Sequence, residues 1–178
     1  MHLSAPTVLI LASGRGERFT ASGGSGPKLQ ALLANKTVLQ HTLDAVRMSA
    51  LPWHLEDDGH PGMGDSIAAA VRATARASGW LILPADLPLI QSETLRRVAA
   101  ALQDHDVVVP IYQGQRGHPV GFSARCGAAL CELSGERGAA GIVRQFAALD
   151  LIVDDVGCVS DIDTVDDLRT AEQWLRNA

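Results

Sequence analysis

Hydrophobic positions along the chain alternate between short continuous runs and stretches with helical spacing. The continuous runs are rich in Val, Leu and Ile, and such runs are typical of strands buried on both faces of a sheet. They cover residues 7–12, 80–84 and 107–110. Further strand-like or extended segments cover residues 53–56, 117–123 and 149–156.

Between these segments, apolar residues recur at the spacing of an amphipathic helix. The predicted helices cover residues 37–48, 67–77, 92–102, 127–133, 138–146 and 164–176. Asp65 or Ser66 is the expected N-cap of the second, and Asp163 or Thr164 that of the last. Residues 15–28 are rich in glycine without an apolar period, which predicts a long loop. Strands alternating with helices predict an α/β fold whose mostly parallel sheet is covered on both faces.

Length, composition and charge limit the class of protein. The 178 residues suit a single domain over 1–178, and 47% apolar residues are typical of a globular chain. The formal charge of −5 argues against sequence-independent binding of nucleic acid, and no apolar run approaches the ~18 residues of a membrane span. Residues 1–6 have no basic segment typical of a signal peptide, and three cysteines suit reduced thiols. We therefore expect a cytoplasmic protein that binds neither nucleic acid nor membrane.

The glycine-rich loop after the first strand is the first candidate for chemistry, because ligands of open α/β sheets bind at the carboxyl ends of strands. Its glycines let backbone N–H groups turn toward a phosphate, and Arg18 and Lys28 add positive charge. Two familiar phosphate fingerprints do not fit, since Phe19 stands where a dinucleotide fold needs Gly or Ala, and Leu29 follows Lys28 where a P-loop needs Ser or Thr. The alternative is a mobile loop with solvated charges.

Carboxylates supply candidate metal ligands. Asp86 follows strand 80–84 almost directly, and Mg²⁺ takes one or two protein carboxylates together with phosphate oxygens and water. The structural alternative for Asp86 is a helix cap or a turn. Asp161 is a candidate second ligand, and Asp163 is most simply a capping residue. The acidic residues of 56–58 and 154–155 are interpreted as solvated charge.

Three other segments complete the set of candidates. Residues 62–66 form a second glycine-rich turn before a helix. Residues 115–119 place a cation and an imidazole, Arg116 and His118, on either side of a glycine and in front of a proline, and both a substrate contact and a structural role remain open. Cys126 and Cys131 are expected to face the core.

Together these motifs resemble the MobA-like NTP-transferase family, most closely its molybdenum cofactor cytidylyltransferase branch. Residues 11–19 with Lys28 look like the signature Leu-Ala-Ala-Gly-x-Ser-x-Arg-Met-Gly…Lys, 62–66 like the second nucleotide loop, and 85–88 like the Asp-Met-Pro metal motif. Residues 116–120, 135–139 and 161–164 are similar to the Gly-His-Pro, Gly-Asp-x-Gly-Ala and Asp-Ile-Asp-Thr elements of the cytidylyl branch.

The resemblance implies a Rossmann-like three-layer α/β/α sandwich of the nucleotide-diphospho-sugar transferase type with a mostly parallel, mixed sheet. Only residues 49–52 separate the helix that ends near Met48 from the strand at Trp53. The family has another strand and helix there. We therefore expect this chain to lack one β-α unit near residues 48–53.

The resemblance also implies a Mg²⁺-dependent nucleotidyltransferase of molybdenum cofactor biosynthesis. It would transfer a nucleoside monophosphate, CMP from CTP, to a phosphorylated acceptor, molybdopterin, and release pyrophosphate. A transient contact with a molybdoenzyme or its chaperone is implied as well. Three alternatives stay open: another NTP, a sugar-phosphate acceptor, or a catalytically impaired nucleotide-binding accessory protein.

Site residues follow from the same resemblance. The implied catalytic residues are Lys28, Arg18 and Asp86, and the implied metal ligands are Asp86 and Asp161. The implied nucleotide contacts are Leu11, Ala12, Ser13, Gly14, Arg15, Gly16, Arg18, Lys28, Gly64, Asp65 and Ser66. The implied acceptor contacts are Arg116, Gly117, His118 and Arg137.

Overall fold

The computed structural model describes residues 4–178, so Met1, His2 and Leu3 of the N-terminal segment discussed above lie outside the described residues. The strands of this part of the chain are β1 (Thr7–Leu11), β2 (Leu32–Leu33), β3 (Lys36–Thr37), β4 (Trp53–Glu56), β5 (Gly79–Pro84), β6 (Val107–Tyr112), β7 (Gln115–Arg116), β8 (Val120–Ser123) and β9 (Leu149–Ile152). The helices are α1 (Glu17–Ala21), α2 (Val38–Ser49), α3 (Met63–Ala73), α4 (Ser92–Ala101), α5 (Gly127–Cys131), α6 (Ala140–Gln145) and α7 (Val165–Asn177). No helix within 4–178 is long and apolar enough to cross a membrane.

A seven-stranded mixed sheet forms the centre of the fold. Its spatial order runs β4, β1, β5, β8, β6, with β7 and β9 each paired to β6. Strands β4, β1 and β5 are parallel, and so are β6 and β9, whereas β8 runs antiparallel to both β5 and β6. The predicted mostly parallel, mixed sheet is confirmed.

Helices cover both faces of this sheet because side chains of a strand point alternately to opposite faces. In β1, Val8 and Ile10 are fully buried in a core cluster that also contains residues of α2 and α4. Leu9 and Leu11 face the other way, into a cluster with residues of α3, α5 and α6. The three-layer sandwich is therefore built on a strand that is apolar on both faces.

The connection between α2 and β4 consists of residues 50–52. Strand β4 pairs with β1 and is the outer strand of the described sheet on that side. A further strand and helix are absent at this point, as expected from the short spacing near residues 48–53.

The predicted long loop over residues 15–28 is partly wrong, since it contains α1. Phe19 of this helix is only 2% exposed and packs in a small cluster with Leu33, Val38 and Ile162. One buried side chain anchors the segment, and a single apolar position is too little to produce a helical period.

The predicted cap of α3 is wrong, whereas the Thr164 alternative for α7 is confirmed. Helix α3 begins at Met63 with Gly62 as its N-cap, so neither Asp65 nor Ser66 caps it. Helix α7 is capped by Thr164, whose hydroxyl accepts from the Asp167 N–H in a capping box. Asp163, for which a cap was the simplest interpretation, does not cap α7, and its carboxylate contacts cations instead.

Two acidic residues interpreted as solvated charge are buried. Asp155 is 1% exposed, and its carboxylate accepts from the Gln91 N–H at 3.0 Å and from the Thr94 hydroxyl at 2.6 Å. It therefore caps the start of α4 from a distant part of the chain. Glu56 is 5% exposed and contacts two histidines.

The start of α3 lies directly against residues 134–137. The Gly64 N–H donates to the Gly135 carbonyl at 2.8 Å, and the Asp65 carboxylate accepts from the Gly135 N–H at 3.0 Å. A Cβ atom on Gly62 would collide with the Gly135 carbonyl, and one on Gly64 would lie 2.6 Å from the Arg137 carbonyl oxygen. This close approach of two backbones explains why glycine is needed at both positions.

We predict that Gly62→Ala lowers the free energy of unfolding by about 1–3 kcal/mol, because the added methyl group displaces residues 134–137. Gly59→Ala is the matched control, since a Cβ atom there meets no atom within 4 Å. Urea unfolding of both variants measures the difference. Equal losses of unfolding free energy in the two variants would show that residues 134–137 accommodate the added methyl group at no extra cost.

Candidate active site

Predicted residues of the first loop, of the segment after β5 and of the segment before α7 meet at the carboxyl edge of the sheet. The loop that begins after Leu11 lies beside Ala85, whose N–H donates to the Leu11 carbonyl at 2.9 Å. The Asp86 carbonyl in turn accepts from the Ile162 N–H at 3.0 Å. Backbone hydrogen bonds therefore join three segments that are far apart in the sequence.

Three carboxylates and two cations form the centre of the site. Asp86, Asp161 and Asp163 each offer a carboxylate oxygen, and these atoms lie within 4.8 Å of one another. The Lys28 ammonium donates to Asp86 Oδ2 at 2.8 Å and lies 3.5 Å from Asp163 Oδ1. Arg18 contacts Asp163 Oδ2 at 2.9 Å, although its side chain is largely exposed.

The electrostatics of this centre favour an additional cation. Burial raises the pKa of Asp161, and the neighbouring charges of Asp163 and Asp86 raise it further. Asp86 Oδ1 is buried without a hydrogen-bond partner among the described residues. A donor set made only of carboxylate oxygens, one of them unpartnered, fits a hard divalent cation. The residues present are therefore suited to the metal that the resemblance implies.

Gly16 shapes the loop that carries the cations. It adopts the left-handed conformation with φ of 64°, which glycine tolerates best, directly before α1. Lys28 packs close to it, since a Cβ on Gly16 would lie 3.3 Å from that of Lys28. The Ala12 N–H donates to the Glu56 carbonyl at 2.9 Å. Gly14 and Arg15 of this loop are exposed, and the backbone amides from Ser13 to Gly16 are the ones predicted to contact a phosphate.

A contact between two hydroxyl groups joins the two glycine-rich segments. Ser13 Oγ and Ser66 Oγ are 2.7 Å apart. Because Gly64 and Asp65 hold residues 134–137 against α3, the exposed Arg137 belongs to the same region as the second glycine-rich turn. The Ser13–Ser66 contact therefore joins the two loops that were predicted to contact a nucleotide.

His118 lies beside Asp86. The backbone N–H of His118 donates to the Cys158 carbonyl at 2.8 Å, and a side chain on Gly117 would collide with the same carbonyl. Burial lowers the pKa of His118, while the charge of Asp86 and the Ile82 backbone oppose this shift. The ring Nδ1 is buried without a partner among residues 4–178. Burial therefore disfavours the charged form of the imidazole, and its Nδ1 is a buried polar atom that a ligand can satisfy.

Arg116 is not brought to the carboxylates. It is exposed on β7 and forms an ion pair of 2.9 Å with Asp150 on β9. Its assignment as an acceptor contact remains a prediction and would require this ion pair to open. Cys126 is buried and Cys131 packs partly buried against the same core cluster, as expected.

Sequence reasoning missed the part that Asp163 plays in this site. The capping interpretation treated it as a local residue, whereas its carboxylate contacts both cations of the first loop. The spacing Asp161-x-Asp163 was the available signal, because both acids precede a helix at the carboxyl edge. The Ser13–Ser66 contact left no signal in the sequence.

Comparison with known proteins gives a consistent result. The model of the MobA-like NTP transferase domain family matches residues 45–150. Among curated relatives, the Bifunctional protein GlmU of Desulfitobacterium hafniense is 27% identical over 135 residues, which is 64% of this chain. The match spans only 29% of that relative's length.

Solved structures share the fold over nearly the whole chain. Rv0371c from Mycobacterium tuberculosis H37Rv has a TM-score of 0.81 and 25% identity, covering 97% of this chain and 100% of that one. Its complex with manganese has a TM-score of 0.75 and 24% identity, with 96% and 98% coverage. Molybdopterin-guanine dinucleotide biosynthesis protein A from Archaeoglobus fulgidus has a TM-score of 0.71 and 17% identity, with 97% and 100% coverage.

The family model covers more than half of the chain. The chain therefore belongs to the family of MobA-like NTP transferase domains, a family of nucleotidyltransferases.

Proposed function

We propose that the protein transfers a nucleoside monophosphate, CMP from CTP, to the phosphate of a small acceptor of the molybdopterin type and releases pyrophosphate, with Mg²⁺ as its metal. The observation that supports this most is the network of Lys28, Asp86 and Asp163 beside a glycine-rich loop. Mere nucleotide binding has less need of three converging carboxylates than a reaction on a triphosphate has.

Lys28 and Arg18 are the groups that would bind the triphosphate. In the free protein both cations are paired with the carboxylates, so their side chains are already held at the mouth of the loop. Charge-assisted hydrogen bonds to phosphate oxygens are stronger than neutral ones and would orient the triphosphate between the two cations. Asp86, with Asp161 or Asp163, would hold the metal, which when bound neutralises charge on the phosphates and carboxylates.

Nucleotidyl transfer needs no nucleophilic side chain. A phosphate oxygen of the acceptor attacks the α-phosphorus, the bond from that phosphorus to the bridging oxygen of the β-phosphate breaks, and pyrophosphate leaves with the electron pair. The protein positions the two reactants and stabilises the charge that develops on the phosphate oxygens. The amides of Ser13 to Gly16 are placed to add to that stabilisation.

The acceptor is assigned to the side of the site where His118 lies. Its unpartnered Nδ1 is a polar atom that a ligand can satisfy, and Gly117 lets the segment approach the Cys158 backbone. Arg137 is an exposed cation near the start of α3 that suits a second phosphate. The acceptor preference for molybdopterin rests on the similarity of residues 116–120 and 161–164 to the cytidylyl elements. We place the activity in the cytoplasm, with transient contact to a molybdoenzyme or its chaperone.

GTP is a second candidate substrate. The A. fulgidus structure is that of a protein named for molybdopterin-guanine dinucleotide biosynthesis, and it shares the fold. None of the described contacts involves a base, so the choice of base is decided by experiment.

Pyrophosphate release with each of the four NTPs, with and without molybdopterin, tests the proposed reaction. We expect release with CTP and Mg²⁺ only when molybdopterin is present. Equal or faster release with GTP would assign the guanylyl reaction. Pyrophosphate release with a sugar phosphate in place of molybdopterin would identify a sugar phosphate as the acceptor. Nucleotide binding without turnover would contradict the proposed activity.

Lys28→Ala should lower kcat/KM, because the variant loses a cation on the phosphates. The expected loss of transition-state stabilisation is about 2–4 kcal/mol. Lys36→Ala is the matched control, since Lys36 is the chain's other lysine and pairs on the surface with Asp44. Steady-state kinetics of pyrophosphate release measure both variants. Parent-like turnover by Lys28→Ala would show that the loop does not hold the triphosphate.

Asp161→Asn should not lower the melting temperature at pH 7 in a chelator, because the fold disfavours the charged form of Asp161. The raised pKa of Asp161 means that the folded parent is favoured below about pH 3.9, where Asp161 is protonated, and loses this stability as the pH rises through the folded pKa. The melting temperature of Asp161→Asn should therefore rise relative to that of the parent as the pH increases.

Asp163→Asn is the contrasting variant in the same thermal melts. It should lower the melting temperature, because it loses contacts to both Arg18 and Lys28. Adding Mg²⁺ should raise the melting temperature of the parent more than that of Asp161→Asn. An Asp161→Asn loss as large as that of Asp163→Asn would assign Asp161 to the structure of the turn.

A further inference from the structure

A second group of metal-ligating side chains lies outside the proposed active site. It consists of His54 and Glu56 on β4 and of Asp58 and His60 in the segment that follows. Glu56 Oε2 lies 3.2 Å from His54 Nε2, and Glu56 Oε1 lies 3.0 Å from His60 Nε2. One ligand atom from each of Glu56, Asp58 and His60 lies within 4.8 Å of the other two.

The sheet holds the centre of this cluster in place. Glu56 is the last residue of the outer strand β4, its backbone is paired with Leu11, and its carbonyl accepts from the Ala12 N–H. His54 precedes it by two positions, and residues two apart on a strand point to the same face. His60 is brought back by a turn in which its N–H donates to the Asp58 carbonyl at 2.7 Å.

The carboxylate of Glu56 is buried and therefore needs hydrogen-bond donors or a cation beside it. Its side chain is only 6% exposed, and a buried carboxylate is costly unless it is paired or binds a cation. Both of its oxygens face an imidazole nitrogen, an atom that also serves as a metal ligand. In the structure the two imidazoles contact the carboxylate of Glu56, and the same side chains carry atoms that ligate metal ions.

The donor types and spacings fit a transition metal. Adjacent ligands of a tetrahedral ion with bonds of about 2.0–2.1 Å are about 3.3–3.4 Å apart, so the 3.0 Å separation of Glu56 Oε1 from His60 Nε2 needs to open only slightly. Glu56, Asp58 and His60 offer one imidazole nitrogen with two carboxylates, a mixed donor set that suits a transition metal, whereas the Asp86 cluster offers oxygen alone. The two clusters thus differ in the ions that they prefer.

We propose that Glu56, Asp58 and His60 form a binding site for a divalent transition metal such as Zn²⁺, separate from the site at Asp86, and that His54 orients the Glu56 ligand through its contact with Glu56 Oε2. The ion ties the end of β4 to residues 57–61, which lead into Gly62 and the start of α3. It therefore stabilises the segment that carries Ser66 toward Ser13.

Competition between the metal-free full chain and a chromophoric zinc chelator tests the site, with Mg²⁺ in excess to occupy the carboxylate cluster. We expect the parent to bind one Zn²⁺ at this site. His54→Gln and His60→Gln should each weaken that binding by at least about tenfold, since even changes behind a metal ligand cost 10–100-fold. His105→Gln is the matched control, because His105 is exposed. Asp86→Asn should leave Zn²⁺ binding unchanged.

Thermal melts separate a metal site from a hydrogen-bonded cluster. Zn²⁺ should raise the melting temperature of the parent and of His105→Gln but not that of His54→Gln or His60→Gln.

The histidines are chosen over Glu56 because their side chains are 31% and 25% exposed, so glutamine is tolerated there, and either variant alone carries the test. Zn²⁺ binding that is equal in His60→Gln and His105→Gln, or that disappears in Asp86→Asn, would overturn the proposal. A parent that binds no Zn²⁺ would show that the imidazoles serve only to pair with Glu56.

Discussion

Three carboxylates within 4.8 Å repel one another, and the position of the Lys28 ammonium between Asp86 and Asp163 offsets that repulsion. The ammonium comes from the first loop, Asp86 from the end of β5, and Asp163 from the segment before α7. Each of these segments therefore depends on the others for its electrostatic balance. The balance is incomplete, as the raised pKa of Asp161 and the unpartnered Asp86 Oδ1 indicate, and a divalent cation would complete it.

A second dependence links the two glycine-rich segments. The hydroxyl contact between Ser13 and Ser66 joins the loop after β1 to α3, and α3 is in turn held against residues 134–137 by backbone contacts that only glycine at 62 and 64 permits. Direct contacts therefore join the loop after β1, the start of α3 and residues 134–137.

The short connection after α2 has a consequence for the edge of the sheet. Strand β4 becomes the outer strand, and no further described strand pairs with its free side. The cluster of His54, Glu56 and His60 occupies the end of this outer strand and the turn after it.

Local pattern in the sequence determined most of the architecture. The runs at 7–12, 80–84 and 107–110 are apolar at every position except Thr7 because both faces of those strands are covered, and that requirement is visible without a structure. The glycine-rich loop, Lys28 and Asp86 were identified because strand ends in such sheets converge on one edge. Tertiary structure decided what depends on partners far along the chain. Asp163 turned toward Lys28, Asp155 capped a helix more than sixty positions away, and Glu56 became buried between two histidines. A carboxylate has the same local sequence signature whether it is solvated, caps a helix or binds a cation, and only the groups that folding brings to it distinguish these states.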